Sequence, residues 1–293
     1  MIGLNDKAWL LDLLQTHPME AVESSIDPRL YDAYFGLGHS ISLVDDPHVF
    51  KVSLAGLALG ANLIKMLDEQ DLTGRFLDIG TGSGALALLL RRVGATEIAA
   101  SDLMSESVAL AARNELLNFS DARITFSQSD LFSGLPRSGS RFDTIIFNPP
   151  GWRTPSDEFL RQLEQIGDKN LAPGSMFYGD SVLLRFLLEL PEHLHIKGRA
   201  IIGVNSLVGI QDVFGCYRAA YNGTPPLSFK LLERHTFPLL FYSEAWHRMR
   251  VNLLQEFSRW SNQNGAAYTM DTHGNLYWSY ELIECRIRNG TKS

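Results

Sequence analysis

The stretch that decides the fold is Phe76-Leu77-Asp78-Ile79-Gly80-Thr81-Gly82-Ser83-Gly84. Its first four residues predict a short buried strand, and three alternate glycines follow at once. Glycine adopts backbone angles that other residues avoid, and it leaves no side chain between the backbone and a ligand. The stretch therefore predicts a strand, a sharp turn that holds a ligand, and the start of a helix at 85–92.

The same succession of strand, turn and helix repeats after this stretch. Further strands are predicted at residues 97–101, 124–127, 144–147 and 199–204, with helices at 106–118 and 181–190. Two later strands are predicted at 227–237 and 277–287, with an inserted helix at about 244–262 between them. This alternation is typical of an α/β fold in which helices cover both faces of a mostly parallel sheet. We expect seven strands in that sheet.

The first 46 residues differ from the rest, and we expect them to form a small helical cap. An apolar stripe that begins at Trp9 predicts a helix ending at Pro18. Asp46-Pro47 then predicts the start of the next helix, since aspartate is a good cap and proline suits the first helical position. The expected domains are the cap over 1–46 and an α/β domain over 47–293.

Composition excludes several classes of protein. Of the 293 residues, 45% are hydrophobic and 20% are charged, which is ordinary for a globular chain. The longest uncharged apolar stretch, 52–64, is too short to cross a bilayer, and no secretion signal is visible. Two isolated cysteines and eight scattered histidines indicate neither a disulfide framework nor a metal site. The net charge of −7 disfavours nucleic acid as a partner. Because the thiols are isolated, the histidines lack ligand spacing and no secretion signal or membrane span is visible, we expect a cytoplasmic protein without metal or membrane attachment.

Three aspartates accompany the first three strands of the predicted sheet. Asp78 places a carboxylate beside the glycine turn, which suits a cationic ligand group and would repel a pyrophosphate. Asp102 can accept hydrogen bonds from two ribose hydroxyls, or it can cap the next helix. Asp130 can accept from an exocyclic amine such as that of adenine, or it can be a solvated loop residue. With Leu103 and Leu131 against the ring, the set predicts a pocket for an adenosine with a cationic tail.

The fourth strand ends in Asn148-Pro149-Pro150. The prolines lack an N–H and have a fixed φ, so the carbonyls of Asn148 and Pro149 can point into the crevice beside the Asn148 carboxamide. These acceptors suit an NH₂ group, and no general base is among them. The segment predicts a clamp that orients a nitrogen rather than deprotonating it, with Asn148 and Pro149 as the catalytic pair.

In their order and spacing, these motifs resemble those of the class I S-adenosylmethionine-dependent methyltransferases. The most similar branch contains the release-factor glutamine-amide enzymes and the nucleic-acid exocyclic-amine enzymes, and the resemblance covers roughly residues 50–204. It implies a Rossmann-like sheet with an antiparallel last strand and S-adenosyl-L-methionine as the cofactor. It also implies that Gly80, Gly82 and Gly84 bind the methionine part, Asp102 the ribose and Asp130 the adenine. Asn148 would hold the acceptor nitrogen for in-line attack on the sulfonium methyl, and it would also be one of the cofactor-binding residues.

One position departs from that branch, where an aromatic residue normally follows the second proline and stacks on a planar acceptor. Here the residue is Gly151, and Trp152 follows it. The departure favours a flexible or differently shaped acceptor. Trp152, Phe177 and Tyr178 are the candidate substrate-facing residues, with core or lid packing as the alternative. We interpret Asp180 mainly as the cap of the helix that follows it.

Four functions are consistent with these residues. The first is a methyltransferase that acts on a nitrogen of a small molecule or a protein side chain. The second keeps the cofactor but cyclises its own aminobutyrate group and releases methylthioadenosine, because a self-reacting cofactor needs no stacking aromatic. A nicotinamide-dependent reductase matches Gly80, Gly82 and Ala85, and a non-catalytic binding protein is the fourth. The sequence does not indicate the acceptor or the oligomeric state.

Overall fold

The computed structural model describes residues 29–135, 141–166, 176–240 and 244–288. The strands are β1 (Leu30–Gly36), β2 (His39–Val44), β3 (Arg75–Ile79), β4 (Glu97–Asp102), β5 (Thr125–Gln128), β6 (Phe142–Phe147), β7 (Leu194–Asn205), β8 (Leu227–Pro238), β9 (Tyr268–Met270) and β10 (Leu276–Ile287). The α-helices are α1 (Leu54–Met66), α2 (Ala85–Val93), α3 (Ser105–Asn118), α4 (Asp157–Ile166), α5 (Gly179–His193), α6 (Ile210–Ala219), α7 (Glu244–Arg248) and α8 (Arg250–Asn264). Within the described ranges, no helix combines the length and the hydropathy that a bilayer crossing requires.

The main sheet has the strand order β5-β4-β3-β6-β7-β10-β8. Neighbouring strands from β5 to β7 are parallel, whereas β10 is antiparallel to both β7 and β8. This order confirms the predicted α/β class with a mostly parallel sheet and an antiparallel last strand. The short β9, which was not predicted, pairs with the start of β10.

Helices cover both faces of the parallel strands. Ile146 and Ile201 belong to a core cluster that includes α1 and α2, whereas their neighbours Ile145 and Ile202 belong to a second cluster with α5 and α6. Successive strand residues point to opposite faces, so a strand covered on both sides is apolar at nearly every position. That is why short apolar runs located these strands correctly.

The described part of the expected helical cap is a β-hairpin, formed by β1 and β2. Along β1, Ala33 and Phe35 are buried and Tyr34 between them is exposed, which is the period of a strand. A Cβ at Gly60 of α1 would lie 2.2 Å from the ring of Phe35, so this glycine lets the hairpin approach the helix. The prediction of helix is therefore wrong for the hairpin residues. The helix expected at 9–18 lies outside the described residues.

Asn114 of α3 joins this hairpin to the glycine turn. Its side-chain oxygen accepts a hydrogen bond from the backbone N–H of Val44 at 3.0 Å. Its side-chain nitrogen donates to the carbonyl of Ser83 at 2.9 Å. One fully buried side chain therefore contacts the hairpin and the turn that follows β3.

The helix predicted to begin at Asp46-Pro47 begins at Leu54 instead. Ser53 is its N-cap, and the Ser53 hydroxyl accepts from the backbone N–H of Gly56 at 3.2 Å. The carboxylate of Asp46 accepts from the N–H of His48 at 2.8 Å and closes a turn. Aspartate serves in turns as well as at caps, so the dipeptide did not distinguish the two.

The inserted helix predicted at about 244–262 consists of α7 and α8, which meet at Met249. Aromatic side chains of both helices pack against the segment after β6, against α4 and against the start of α5. We call this group the aromatic cluster, and its members are Trp152, Phe159, Phe177, Trp246, Phe257 and Trp260. Because Trp152 follows Asn148 by only four residues, the aromatic cluster lies beside the carboxyl end of the sheet.

Candidate functional site

Three neighbouring parallel strands bring the predicted motifs to one edge of the sheet. β3 lies between β4 and β6, and its last residue, Ile79, is in register with Ser101 and Phe147. The glycine turn, Asp102 and Asn148 follow directly on these three positions. The structure therefore places them side by side at the carboxyl edge, where open α/β sheets bind their ligands.

The three glycines of the turn all have positive φ, at +67° for Gly80, +55° for Gly82 and +84° for Gly84. Their surroundings differ. A Cβ at Gly84 would lie 2.9 Å from the Cβ of Ala111 on α3, so this glycine allows close packing of a helix. A Cβ at Gly82 would have no atom of the described residues beyond its chain neighbours within 4 Å. A Cβ at Gly80 would lie 3.7 Å from the ring of Phe147. Gly80 and Gly82 thus leave the backbone open to a ligand.

Asp78 lies beneath the turn and is only 1% exposed. Its carboxylate accepts a hydrogen bond from the Thr81 hydroxyl at 2.6 Å. Burial raises the pKa of Asp78 to about 7; the bond from Thr81 opposes this rise, and the charge of Asp102 adds to it. The bonds recorded for this carboxylate among the described residues come from Thr81 and the backbone of Ala87, neither of which is a cation. With a pKa of about 7 this carboxyl is about half ionised at neutral pH, and a cation bound above the turn would favour its ionised form.

Asp102 holds the glycine turn from the neighbouring strand. One carboxylate oxygen accepts from the N–H of Gly82 at 2.9 Å, and the other accepts from the N–H of Met104 at 3.0 Å. The side chain does not cap α3, whose N-cap is Met104. Each oxygen keeps a lone pair for a further donor such as a ribose hydroxyl. Beside it, the side chains of Leu103 and Met104 are 60% and 52% exposed and form an apolar surface.

Asp130 forms an ion pair with a residue of α5. A carboxylate oxygen accepts from Arg185 of α5 at 2.9 Å, and both side chains are about half exposed. Leu131 has a φ of +51° and is buried in the second core cluster. An adenine amine would therefore compete with Arg185 for the carboxylate, and Leu131 packs into the core instead of lining an open pocket.

Asn148 is held in one orientation at the end of β6. Its Oδ1 accepts a hydrogen bond from the hydroxyl of Tyr280 on β10 at 2.7 Å. The next residues abut the start of α5, because a Cβ at Gly179 would lie 2.1 Å from the carbonyl oxygen of Pro150. Pro149 between them is buried. The clamp is thus fixed on one side by a strand and on the other by a helix.

Gly151, the position that departs from the family pattern, lies against Asn205. A Cβ at Gly151 would be 2.8 Å from the side-chain nitrogen of Asn205, which ends β7. Asn205 is buried, and its side-chain oxygen accepts from the N–H of Leu207 at 2.9 Å. Asn205 therefore fills the space that a side chain at position 151 would enter.

The three candidate substrate-facing residues have different environments. Trp152 and Phe177 are 6% and 0% exposed and pack edge to face within the aromatic cluster, with ring centroids 5.2 Å apart. Tyr178 is 36% exposed, has a φ of +67° and precedes α5 directly. Its neighbour Gly179 contacts Pro150, so of the three only Tyr178 has a solvent-accessible side chain beside the clamp.

Asp180 does not cap α5, contrary to the prediction. Its carboxylate accepts from the backbone N–H and the hydroxyl of Thr154, at 2.7 and 2.8 Å, and lies 3.5 Å from Nε of Arg153. Arg153 also pairs with Asp212 of α6 at 2.5 Å and donates to the carbonyl of Val208 at 2.7 Å. This network fixes the segment after the clamp against α5 and α6.

Four residues of this edge were not predicted. Thr81 lies within the quoted stretch, and a hydroxyl three residues after a buried aspartate is a signal that could have found it. Arg185, Asn205 and Tyr280 are far away in sequence, the last being 132 positions from Asn148. Only the fold brings them to the motifs, and no local pattern marks them.

Comparison with known families identifies one match. The model of the methyltransferase small domain matches residues 40–166. This range runs from β2 to the end of α4. It contains the glycine turn, Asp102, Asp130 and Asn148, but none of the last strands of the sheet.

Three curated relatives are similar to this chain. A Methanocaldococcus jannaschii protein, provisionally named a protein N5-glutamine methyltransferase, is 30% identical over 191 residues, which is 65% of this chain and 86% of the relative. The release factor glutamine methyltransferase of Salmonella typhimurium is 42% identical over 161 residues, 49% of this chain and 55% of the relative. A tRNA adenine N6-methyltransferase of Citrobacter koseri is 45% identical over 107 residues, 36% of this chain and 42% of the relative. The chain therefore spans about half of the length of the two bacterial enzymes.

Among solved structures, a 16S rRNA methyltransferase of T. thermophilus in complex with AdoMet and guanosine has a similar fold. The similarity covers 89% of this chain and 50% of that chain, with a TM-score of 0.53 and 19% sequence identity. At that identity, the match supports the fold alone.

Proposed function

This chain belongs to the class I S-adenosylmethionine-dependent methyltransferases, in the branch of the glutamine-amide enzymes, and from this premise we propose that it methylates the side-chain nitrogen of a protein glutamine. The observation that carries the proposal is the Asn148 carboxamide, which is fixed at the sheet edge beside the open glycine turn. The archaeal and Salmonella relatives, both named for glutamine methylation, support the same acceptor. Family membership sets aside the reductase and the non-catalytic binding protein.

The residues at the edge fit S-adenosyl-L-methionine. Gly80 and Gly82 leave open backbone for its methionine part, and its cationic groups would favour the ionised form of Asp78 beneath the turn. Asp102 has free lone pairs for ribose hydroxyls. When bound, the cofactor supplies a methyl group that is already activated as a sulfonium. The protein then has to bind, orient and exclude water.

The clamp performs the orienting step in this proposal. An NH₂ group can donate one hydrogen to Oδ1 of Asn148 and the other to a carbonyl of the clamp, such as that of Pro149. With both hydrogens engaged in the amide plane, the nitrogen is left to react at a face of that plane, and it releases one of its two protons when it is methylated. Such alignment can account for several kcal/mol of a barrier.

The kind of acceptor is tested by methyl transfer from S-adenosylmethionine labelled in its methyl group. The acceptors are a purified release factor, a purified tRNA and no acceptor at all. We expect label in the release factor, recovered as methylated glutamine, together with S-adenosylhomocysteine. Label in the tRNA alone, or in neither macromolecule, would contradict the protein-glutamine acceptor. A release-factor acceptor would place the protein in the cytoplasm.

Asn148→Ala tests the clamp within the same assay. We expect the transfer rate to fall about 100-fold, while the dissociation constant of the cofactor changes little, because the carboxamide orients only the acceptor. Asn222→Ala is the matched control, since Asn222 is exposed before β8 at the opposite edge of the sheet. Equal rates in the two variants would remove Asn148 from the mechanism.

A second candidate function is favoured by Gly151 and Asn205. Because Asn205 fills the place of a stacking aromatic, the acceptor slot lacks the planar wall of the related enzymes. An enzyme that cyclises the aminobutyrate group of its own cofactor needs no such wall. The reaction without acceptor separates the two candidates, since cyclisation releases methylthioadenosine and methyl transfer releases S-adenosylhomocysteine.

A further inference from the structure

The hydroxyl of Tyr280 is the fixed partner of the Asn148 carboxamide. It donates to Oδ1 of Asn148 at 2.7 Å. Tyr280 itself is 1% exposed and packs in the first core cluster, together with Ile146 and Ile201. The hydrogen bond is therefore shielded from water on the side of the tyrosine.

The tyrosine reaches the clamp from two strands away. β7 lies between β6, which precedes Asn148, and β10, which carries Tyr280. On β7, Tyr280 is paired with Asn205, and Gly203 is paired with Leu282. A Cβ at Gly203 would lie 1.7 Å from the Tyr280 hydroxyl and 2.4 Å from the ring carbon that bears it. The ring thus lies across β7 at Gly203, and the missing side chain of this glycine makes the diagonal contact possible.

The chemistry of the pair determines which end of the carboxamide faces the acceptor. A side-chain amide has an oxygen with two lone pairs and a nitrogen with two hydrogens, and rotation exchanges them. Tyr280 donates to the oxygen and so keeps the oxygen in its place, with one lone pair left. Burial raises the pKa of Tyr280 far above physiological pH, so its hydroxyl stays a donor.

We propose that Tyr280 is a positioning residue for methyl transfer: its hydroxyl, passing over Gly203, holds Oδ1 of Asn148 towards the acceptor nitrogen. The inference rests on the proposed function, because the carboxamide has to bind an NH₂ group for its orientation to matter. It adds a residue from the last strand of the sheet to a site that otherwise follows the parallel strands.

The test compares Tyr280→Phe with Tyr217→Phe. Both tyrosines are fully buried, and the hydroxyl of Tyr217 bonds to the N–H of Leu227 at 3.1 Å, at the start of β8 and far from the clamp. Each substitution removes one buried hydroxyl. We expect Tyr280→Phe to lower the kcat of methyl transfer about tenfold with an unchanged cofactor dissociation constant, and Tyr217→Phe to leave both unchanged. Equal losses of kcat in the two variants would assign Tyr280 a purely structural role.

A double substitution asks whether the hydroxyl acts through Asn148. If it does, Asn148→Ala with Tyr280→Phe transfers methyl groups no more slowly than Asn148→Ala alone, because residues that act as a unit are not additive. Multiplied losses would overturn the proposal.

A readout without any acceptor keeps this inference separate from the proposed function. In protein labelled with ¹⁵N-asparagine, the side-chain NH₂ signal of Asn148 is the one missing from Asn148→Ala. We expect it to shift or split in Tyr280→Phe and to stay in place in Tyr217→Phe. An unmoved signal in Tyr280→Phe overturns the positioning role even where transfer is measured. A moved signal supports it even if the wild-type protein methylates no glutamine.

Discussion

The glycine-turn edge has a buried carboxyl group, and α8 has another beside the aromatic cluster; the two carboxyl groups behave in opposite ways. Asp78 has a pKa raised to about 7 by burial, with only neutral donors recorded around it. Burial alone would raise the pKa of Glu256 as well, but hydrogen bonds from Arg259 and Ser156 outweigh it and leave the pKa below its usual value. A buried charge that has its partner within the protein is structural, whereas one without a partner is available to a ligand.

The comparison assigns a role to each region. The glycine-turn edge is open, and its buried carboxyl accepts hydrogen bonds from neutral donors, Thr81 and the backbone of Ala87. The aromatic cluster is closed, and the Glu256 carboxylate beside it accepts hydrogen bonds from the N–H of Ser156 at 2.6 Å and from Arg259. We therefore expect changes in the first region to affect binding, and changes in the second to affect stability.

The largest expected effect is on stability, from Phe177→Ala in the aromatic cluster. Phe177 is fully buried, so removing its ring should lower the free energy of unfolding by about 3–5 kcal/mol in a urea titration. Cofactor affinity should stay nearly constant. Tyr178→Ala is the control, because the adjacent side chain is 36% exposed and should change stability by less than about 1 kcal/mol. A stable Phe177→Ala protein with weakened acceptor binding would reverse the roles of the two residues.

The next effect is the pH dependence of the two carboxylates. The folded pKa of Asp78, about 7, lies above its ordinary 3.8. The folded form thus binds more protons in this range, and stability present below pH 3.8 is lost as pH rises through 7, by at most about 1.4 kcal/mol per pH unit. For Glu256 the pH dependence has the opposite sign, because its pKa is lowered. The stability that this carboxylate contributes is present above pH 4.5 and is lost as the pH falls below that value.

These slopes are measured as differences from matched variants. The unfolding free energy of the wild type minus that of Asp78→Asn should fall between pH 5 and 7. The corresponding difference for Glu256→Gln should rise with pH between about 3 and 5. With saturating S-adenosylmethionine, the difference between the wild type and Asp78→Asn should depend less on pH, since a bound cation lowers the pKa of that carboxyl. An unchanged slope would mean that no cation binds above the turn.

A smaller effect is expected at the glycines of the turn. Gly82→Ala should weaken cofactor binding about tenfold, or about 1.4 kcal/mol, because its Cβ would point into the open space above the turn. Gly84→Ala should mainly lower stability, since its Cβ would meet Ala111 at 2.9 Å. Calorimetric titration of the two variants with S-adenosylmethionine compares them directly. Tight cofactor binding by Gly82→Ala would place the methionine part elsewhere.

The smallest effect is expected at Asp130. As half of an exposed ion pair with Arg185, it should contribute less than about 1 kcal/mol to stability. If its carboxylate turns to adenine, Asp130→Asn should weaken cofactor binding about fivefold, the worth of one hydrogen bond, whereas Arg185→Met should not. Equal affinities in both variants would leave Asp130 as a solvated ion pair only.

The sequence was informative wherever neighbours along the chain are neighbours in space. The nine residues from Phe76 to Gly84 contain a strand, a turn and a helix start, so their pattern alone located the edge of the sheet. The Tyr280 contact has no such pattern, because it joins strands that only the folded sheet brings together. The hairpin of β1 and β2 was missed for a different reason: the helical stripe that begins at Trp9 was extended to the whole segment, although alternate residues of both strands, such as Ile41 and Leu43, have the period of a strand.

The link through Asn114 has a practical consequence for anyone who shortens this chain for crystallisation. A shortened chain that starts at residue 47 would lack Val44, so Asn114 would lose one of the two hydrogen bonds that fix its side chain against Ser83. It would also uncover the groove at Gly60 that Phe35 occupies. A shortened chain should therefore keep residue 30 and those that follow it, because the hairpin of β1 and β2 supports the glycine turn through Asn114.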